Sequence, residues 1–469
     1  MNRRIERRLL IILTFGFFCS FILVIHNSLQ VPKTSLDSSE FKQLNDKLNK
    51  FENSLIQERQ ELEDLQLEVD RKFALQSKFL HPHAQIKKNL DLPLKPWVEP
   101  IPIVVFACNR PVALREHLRK LIRKDINQFP IIVSQDCDNT QIKSVVVEFG
   151  ENVQYIKHIS SETARIKVPK EHRQFAVYYK ISRHYKLALG HIFDKMGYSS
   201  VIITEGFFIF NFSKKIFSDD LTVAPDFFDY FLATRPLLEV DKTLFCVSAW
   251  NDNGVPEFID ETANELLYRS DFFAGLGWMM TRDFWQEIGP KWPPGFWDDF
   301  IREPAQRKNR SCIRPELSRT GMTEFGQKGA SGGLFFNRHL KRIFLNQKPT
   351  NFNQLDLSYL IKQKYDPLFL KKVYSIKNAS LNEILMKNVE ENGQNEFRIE
   401  YESMDNFLNI ARKIGIMADT KAGVPRTAYL GIISFFLKGS RIFIAPSNST
   451  RWNGYDTKWE APRNVLDGL

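Results

Sequence analysis

Three contiguous apolar runs, IPIVVFA (101–107), FPIIVSQD (129–136) and SSVIITE (199–205), recur through the middle of this chain, with a more mixed run, VQYIKH (153–158), among them. A strand that is apolar on both sides of its pleat must be covered on both faces, and a sheet flanked by helices provides that cover. The stretches between the runs supply the helices: VALREHLRKLIRK after CNRP, a polar-to-helical segment after residue 136, and a long helix-like stretch from Glu171 to Phe193. This alternation predicts a mainly parallel α/β sheet that binds its ligands at the carboxyl ends of the strands. No GxGxxG and no P-loop is present, which disfavours a dinucleotide dehydrogenase or a P-loop nucleotidase.

At 469 residues the chain has room for two or three domains. Residues 1–8 hold four Arg against one Glu and abut an uncharged apolar stretch, Leu9–Ile25. Its 17 residues are enough for a short membrane span and longer than the usual core of a cleaved signal peptide, and HNSLQVP offers no A-x-A cleavage site. Basic charge before the span and none directly after it predict a cytoplasmic tail (1–8), an anchor (9–25) and a lumenal remainder. Phe41, Leu44, Leu48, Phe51, Leu55, Leu62, Leu65 and Val69 then recur at steps of three and four, with one beat missing at Glu58. That period suits a helical stalk within 26–97, either a coiled-coil homodimer or a lone solvated helix. Pro82, Pro93, Pro96 and Pro100 end it.

The formal charge is +10, of which +3 lies in residues 1–8 and +7 in 98–469. So small an excess over a lumenal domain, without a zinc-finger, helix-turn-helix or RNA-binding signature, argues against nucleic acid as a partner. Beyond Cys19 in the apolar stretch there are four cysteines, Cys108, Cys137, Cys246 and Cys312, which allow three pairings. Asn309, Asn378 and Asn448 begin glycosylation sequons. Acidic residues stand at strand ends or beside aromatics: Asp136 in SQDC, Asp219-Asp220, and Asp298-Asp299 in GFWDDF. Such carboxylates suit a hard divalent cation, and one packed between Trp297 and Phe300 should have its pKa raised toward neutrality, as a general base requires. Taken singly, an Asp-Asp pair is more often a solvated turn or a helix cap. The aromatic helix around Tyr178, Tyr179, His184 and Tyr185 reads as core packing with a satisfied histidine.

Taken together, IPIVVFACNRP, FPIIVSQDC, HRQFAVYYKISRHYKLALG, DDLTVAPDFFDYF, LLYRSDFFAGLGWMM, KWPPGFWDDF, SCIRPELSRT and GVPRTAYLGI resemble, in order, the N-acetylglucosaminyltransferase I family. The resemblance runs from about residue 101 to the C-terminus. It implies a GT-A fold, with a nucleotide-sugar-binding catalytic domain over 98–350 and a smaller C-terminal domain over 351–469, on a single-pass type II Golgi membrane protein. It also implies transfer of GlcNAc from UDP-GlcNAc, with inversion, to the 2-hydroxyl of the α1,3-linked mannose of a high-mannose N-glycan. Carried over by motif, Asp298 is the general base, Asp220 the ligand of Mn²⁺ (or Mg²⁺), and Asp136 and His184 hold the uracil. Arg110, Glu205, Asp219, Leu276 and Ser331 fall at donor-site positions. The family's disulfides would join Cys108 to Cys137 and Cys246 to Cys312. Asn109 stands where the family has an aspartate, and TGMTEFGQKG carries an extra residue at two places.

One departure cuts through the metal motif. The family's strand runs straight into Glu-Asp-Asp, whereas here GFFIFNFSKKIFS (206–218) separates Glu205 from Asp219. Removing those 13 residues restores VIITEDDLTVAPDFF, and codons for the segment's ends can spell the borders of a short intron. The expectation is a retained intron or a mistaken gene model, with a genuine loop insertion as the alternative, and weak or no activity in the chain as written. Two other readings are a catalytically impaired Golgi scaffold and the related transferase that acts on O-linked mannose. The latter is disfavoured because its family carries an extra folded domain where 26–97 reads as stalk only.

Overall fold

The computed structural model describes residues 96–122, 126–205, 221–323, 337, 339–386 and 396–447. The tail, anchor and stalk expected before residue 96 lie outside the described residues, as do Asp219, Asp220, Ser331, Asn448 and the segment 206–218. Among the described residues no helix is long and apolar enough to cross a membrane.

The four runs form the strands expected of them: β1 (Ile103–Ala107), β2 (Ile131–Gln135), β3 (Val153–Lys157) and β4 (Ser200–Glu205). They pair in parallel in the order β3-β2-β1-β4. β1 and β2 are buried throughout, which explains their unbroken apolar sequence. Beyond β4 the sheet becomes mixed. The short β5 (Leu221–Val223) lies outside it, and β6 (Leu244–Ser248), β7 (Leu267–Ser270), β8 (Trp278–Thr281) and β9 (Ser311–Pro315) extend it to β3-β2-β1-β4-β8-β6-β9-β7. β8 runs antiparallel to both β4 and β6, and β7 antiparallel to β9, while β6 and β9 pair in parallel, so only β3-β2-β1-β4 is parallel throughout. No residue pattern marks this reversal, because a buried antiparallel strand is as apolar as a parallel one.

Helices cover both faces. On one side, helix Pro111–Leu121 and helix Phe227–Val240 share a core with β1, β2 and, from the chain's later part, Phe352, Leu360, Phe369 and Phe443. On the other, helix Ala176–Gly190 and the tryptophans Trp278, Trp285, Trp292 and Trp297 pack against Val104, Phe106 and Ile203. The stretch 171–193 is therefore not one helix. A tight 3₁₀ segment, Lys170–Phe175, precedes the α-helical turns, and a wider π segment, His191–Lys195, follows them.

β5 pairs with β10 (Thr320–Met322). A separate sheet is built from β11 (Glu396–Tyr401), β14 (Ile433–Leu437) and β15 (Ser440–Pro446), with a two-residue hairpin, β12 (Thr420–Lys421) and β13 (Val424–Pro425), between. Helix Met404–Ile414 closes that sheet's core through Phe407, Ile410 and Ala411. Both disulfides form as the resemblance implies, Cys108–Cys137 and Cys246–Cys312. The first ties the residues just past β1 and β2, and the second joins directly paired positions of β6 and β9.

Candidate active site

The parallel half-sheet places its carboxyl ends side by side. Ala107 pairs with Gln135, and Phe106 pairs with Glu205. Chain order reverses across β1, with β2 on one side and β4 on the other, and a crevice for a ligand opens at such a switch point. Arg110 after β1, Asp136 after β2 and Glu205 at the end of β4 all stand along this edge.

Asp136 is 1% exposed. Arg183, one residue before His184 on helix Ala176–Gly190, donates through Nη1 to Asp136 Oδ1 at 2.5 Å, while Oδ2 accepts no hydrogen bond among the described residues. Burial pushes the carboxyl up to about 6 despite Arg183, so near neutral pH one buried carboxylate oxygen is left for a ligand's N–H. The turn that presents Asp136 is fixed from beneath. Gln135 Nε2 donates to the carbonyls of Cys137 and Asn139 at 2.9 and 2.8 Å, and Ser161 bonds the Asp136 carbonyl through both N–H and hydroxyl.

His184 is fully buried, and its Nε2 lies 2.9 Å from Ser134 Oγ, which also meets His158 Nε2 at 3.0 Å. Ser134 has one proton to give, so it donates to one imidazole and accepts from the other. Burial, then nearby cationic groups, lowers both histidines, His158 to about 4, and both rings are neutral at physiological pH. The expected reading of His184 as a packed, satisfied histidine is correct as far as packing goes, since Phe106 contacts it edge-on at 4.7 Å.

Leu276 lies in a run of three residues with positive φ, Gly275 (70°), Leu276 (52°) and Gly277 (88°). The left-handed region disfavours a branched side chain, so Leu276 is held there by its neighbours. Thr320 Oγ1 donates to its carbonyl at 2.6 Å, and a Cβ on Gly277 would meet Thr320 Cγ2 at 2.5 Å. Because Trp278 pairs with Ile203 in the antiparallel register, this strained turn faces the carboxyl end of β4, where Glu205 stands.

Asp298 opens helix Trp297–Arg302, seated on an aromatic stack. Trp297 lies parallel to Tyr185 at 4.1 Å, and Tyr185 to Phe106 of β1 at 4.2 Å. Phe296, which enters the helix, is itself left-handed at φ 53° and stacks on Tyr178 at 5.2 Å. Arg302, one turn on, donates to Asp298 Oδ2 at 2.7 Å and to Asp299 Oδ1 at 3.0 Å, and Lys421 lies 3.4 Å from Asp299. The expectation that apolar neighbours raise Asp298 toward neutrality is corrected here. Burial acts in that direction, but the charge and hydrogen bond of Arg302, aided by Lys421, outweigh it and hold the carboxyl below its usual range. Asp298 is therefore ionised at neutral pH.

Asp226 of the APDFF motif, one of the acids closest to the metal motif in sequence, is committed elsewhere. Fully buried, it accepts from Arg319 at 3.0 Å, from Asn346 at 3.0 Å and from the Thr350 N–H at 3.2 Å. Among the described residues no group of three or more His, Cys, Asp or Glu is placed to hold a metal, and Asp219 and Asp220 lie outside them. Sequence reasoning missed Arg183, Ser134, His158 and Arg302. Arg302 alone left a signal, its spacing of four from Asp298.

These features define an α/β group-transfer enzyme, with a buried carboxylate and histidine at the strand ends and an ionised carboxylate held by arginine on a separate helix. The GNT-I family profile matches residues 9–459, and the chain belongs to that family. It is 36% identical over 351 residues, 74% of either chain, to an Arabidopsis thaliana protein named alpha-1,3-mannosyl-glycoprotein 2-beta-N-acetylglucosaminyltransferase. Among solved structures it matches the Pyrobaculum calidifontis mannosyltransferase PcManGT in complex with GDP-Man and Mn²⁺. The TM-score there is 0.28 and the identity 16%, over 49% of this chain and 59% of that one. It also matches residues 1–349 of S. aureus TarS, with a TM-score of 0.30 and 10% identity over 61% and 76% of the respective chains.

Proposed function

We propose that this chain transfers GlcNAc from UDP-GlcNAc to the 2-hydroxyl of the α1,3-linked mannose of a high-mannose N-glycan. The observation that carries this is the family match over nearly the whole chain, together with the likeness to the Arabidopsis enzyme of that name. Asp136 accepts from the uracil N3–H through its unpartnered oxygen, and the neutral His184, oriented by Ser134, lies against the base. Arg110 and the Leu276 turn take up the rest of the donor. The mannose 2-hydroxyl attacks the anomeric carbon from the face opposite the diphosphate. The new C–O bond forms as the bond to the phosphate oxygen breaks and UDP departs, while Asp298 receives the hydroxyl proton. Arg302 keeps Asp298 ionised until then.

The carboxylate-only set of Glu205, Asp219 and Asp220 fits a hard cation, Mn²⁺ or Mg²⁺, with Asp220 as the direct ligand, and the backbone of Glu205 stands at the switch point such a cation would share with a diphosphate. When bound, the metal supplies positive charge to the leaving diphosphate. The wider reading is a type II Golgi membrane protein, with tail 1–8, anchor 9–25, stalk 26–97 as a route to a homodimer, a GT-A catalytic domain over 98–350 and a C-terminal domain over 351–469. Incubating the full chain, and beside it the form lacking 206–218, with UDP-GlcNAc, Mn²⁺ and a mannose-terminated N-glycan tests the activity. A β1,2-linked GlcNAc product, lost on adding EDTA, is expected. Transfer to O-linked mannose instead, or no UDP-GlcNAc binding at all, overturns it.

A further inference from the structure

His117 lies on helix Pro111–Leu121, 4% exposed, and takes no part in the contacts described above. Its Nδ1 is 3.1 Å from the carbonyl oxygen of Leu221, and its Nε2 is 3.1 Å from Thr204 Oγ1. A carbonyl only accepts, so Nδ1 carries the proton, and in a neutral ring Nε2 then accepts from the Thr204 hydroxyl at 3.1 Å, the shorter of that hydroxyl's two acceptor distances, the Val104 carbonyl lying at 3.3 Å. Burial keeps the ring neutral, lowering it to about 4. Thr204 directly precedes Glu205, and Leu221 directly follows Asp220. One imidazole thus bonds to both borders of the metal motif, across 87 residues to one and 104 to the other. Lys120, one turn on, adds a bond from Nζ to Thr222 Oγ1 at 2.9 Å.

We propose that His117 is a positioning residue for the metal-binding carboxylates: by bonding both Thr204, near the end of β4, and Leu221, at the start of β5, it holds the two residues that border Glu205 and Asp220 in the sequence at neighbouring points. The proposal rests on the metal assignment made above. It also bears on the 13-residue segment: with 206–218 removed, only Asp219 and Asp220 would join Glu205 to Leu221. That connection reaches at most roughly 3.6 Å per residue, which suits two ends held by one ring. Sequence alone does not mark His117, since a histidine on an amphipathic helix has no distinguishing spacing.

The test compares the full chain with its His117→Phe, His117→Gln and Thr204→Val variants by calorimetric UDP binding with and without Mn²⁺, and by amide hydrogen exchange. His117→Phe is expected to leave metal-free UDP binding within about twofold, because the proposed uracil contacts, Asp136 and His184, lie just past β2 and on helix Ala176–Gly190. It should raise the Mn²⁺ concentration needed for tight UDP binding by about tenfold or more. Exchange at Leu221–Val223 should quicken by a similar factor while Ile131–Gln135 is unchanged. Thr204→Val gives the same pattern more weakly, and His117→Gln, which keeps a donor and an acceptor, recovers part of it. Unaltered Mn²⁺ dependence and unaltered exchange in His117→Phe overturn the proposal. If that variant does not fold, unaltered values in Thr204→Val do so. If the parent chain shows no Mn²⁺ dependence, the metal assignment fails by itself, and faster exchange at Leu221–Val223 still decides whether His117 holds Leu221 in place.

Discussion

Arg302 Nη1 donates to Asp298 Oδ2 at 2.7 Å from one helical turn away, and this pair sets the protonation state of the carboxylate assigned as base. The sequence suggests a base with a raised pKa. The structure gives a carboxylate that is ionised before substrate arrives and whose proton affinity depends on whether Arg302 keeps its hold.

Replacing Asp298 by Asn should therefore lower kcat by about 100- to 10,000-fold with donor binding preserved, the range expected for loss of a general base. Arg302→Gln should move the acid limb of the kcat/KM profile to higher pH, because the group that depresses Asp298 is gone. A pH profile of the two variants with UDP binding measured alongside checks both outcomes.

Asp136 titrates in the opposite sense. Its folded pKa of about 6 lies above the ordinary 3.8, so its contribution to stability is complete below pH 3.8 and is lost as pH rises through 6. Nucleotide affinity should follow the reverse course and strengthen as pH rises through 6, because the ionised carboxylate is the stronger acceptor for the uracil N–H proposed to meet it. Asp136→Asn should weaken UDP binding by about 10- to 100-fold, the value of a hydrogen bond to a charged group, and should flatten its pH dependence. Calorimetric titration between pH 5 and 8 is the measurement.

The connection between β4 and β5 yields a prediction about the chain itself. A form lacking 206–218 should transfer GlcNAc about 100-fold faster than the chain as written, since misplacing reacting groups by an ångström costs about that much. Sequencing the transcript across codons 200–225 provides the companion measurement. Equal activity of both forms, or the segment's presence in most messages, marks it as a genuine loop.

The Cys108–Cys137 bridge ties the turn carrying Arg110 to the turn carrying Asp136, with a Cα–Cα distance of 5.3 Å. Replacing both cysteines by Ser should cost about 2–4 kcal/mol of stability and weaken UDP binding as well. Removing Cys246–Cys312, within strands away from that edge, should cost stability with donor affinity retained. Thermal melts paired with UDP titrations separate the two.

The Asp226–Arg319 pair is fully buried and ties the segment after β5 to the residues before β10. Asp226→Ala should cost about 3–5 kcal/mol by leaving Arg319 uncompensated, whereas Asp226→Asn should cost less. Denaturant unfolding of the two variants distinguishes this structural role from metal binding, which would appear instead as altered Mn²⁺ dependence.

The sequence by itself determined the parallel strands β1 to β4, because β1, β2 and β4 are buried on both faces and so carry unbroken apolar runs, and the helical stretches between the runs supply the crossovers that parallel pairing needs. It also placed Asp136, Glu205 and Asp298 at element ends, since motif order and strand boundaries are local properties. The reversal at β8, the ionised state of Asp298, the pairing of Arg183 with Asp136 and the bridging of Thr204 and Leu221 by His117 were decided only by tertiary structure. Each depends on which groups from distant parts of the chain share a buried site, and burial acts on a charge or a hydrogen bond only once those partners have met.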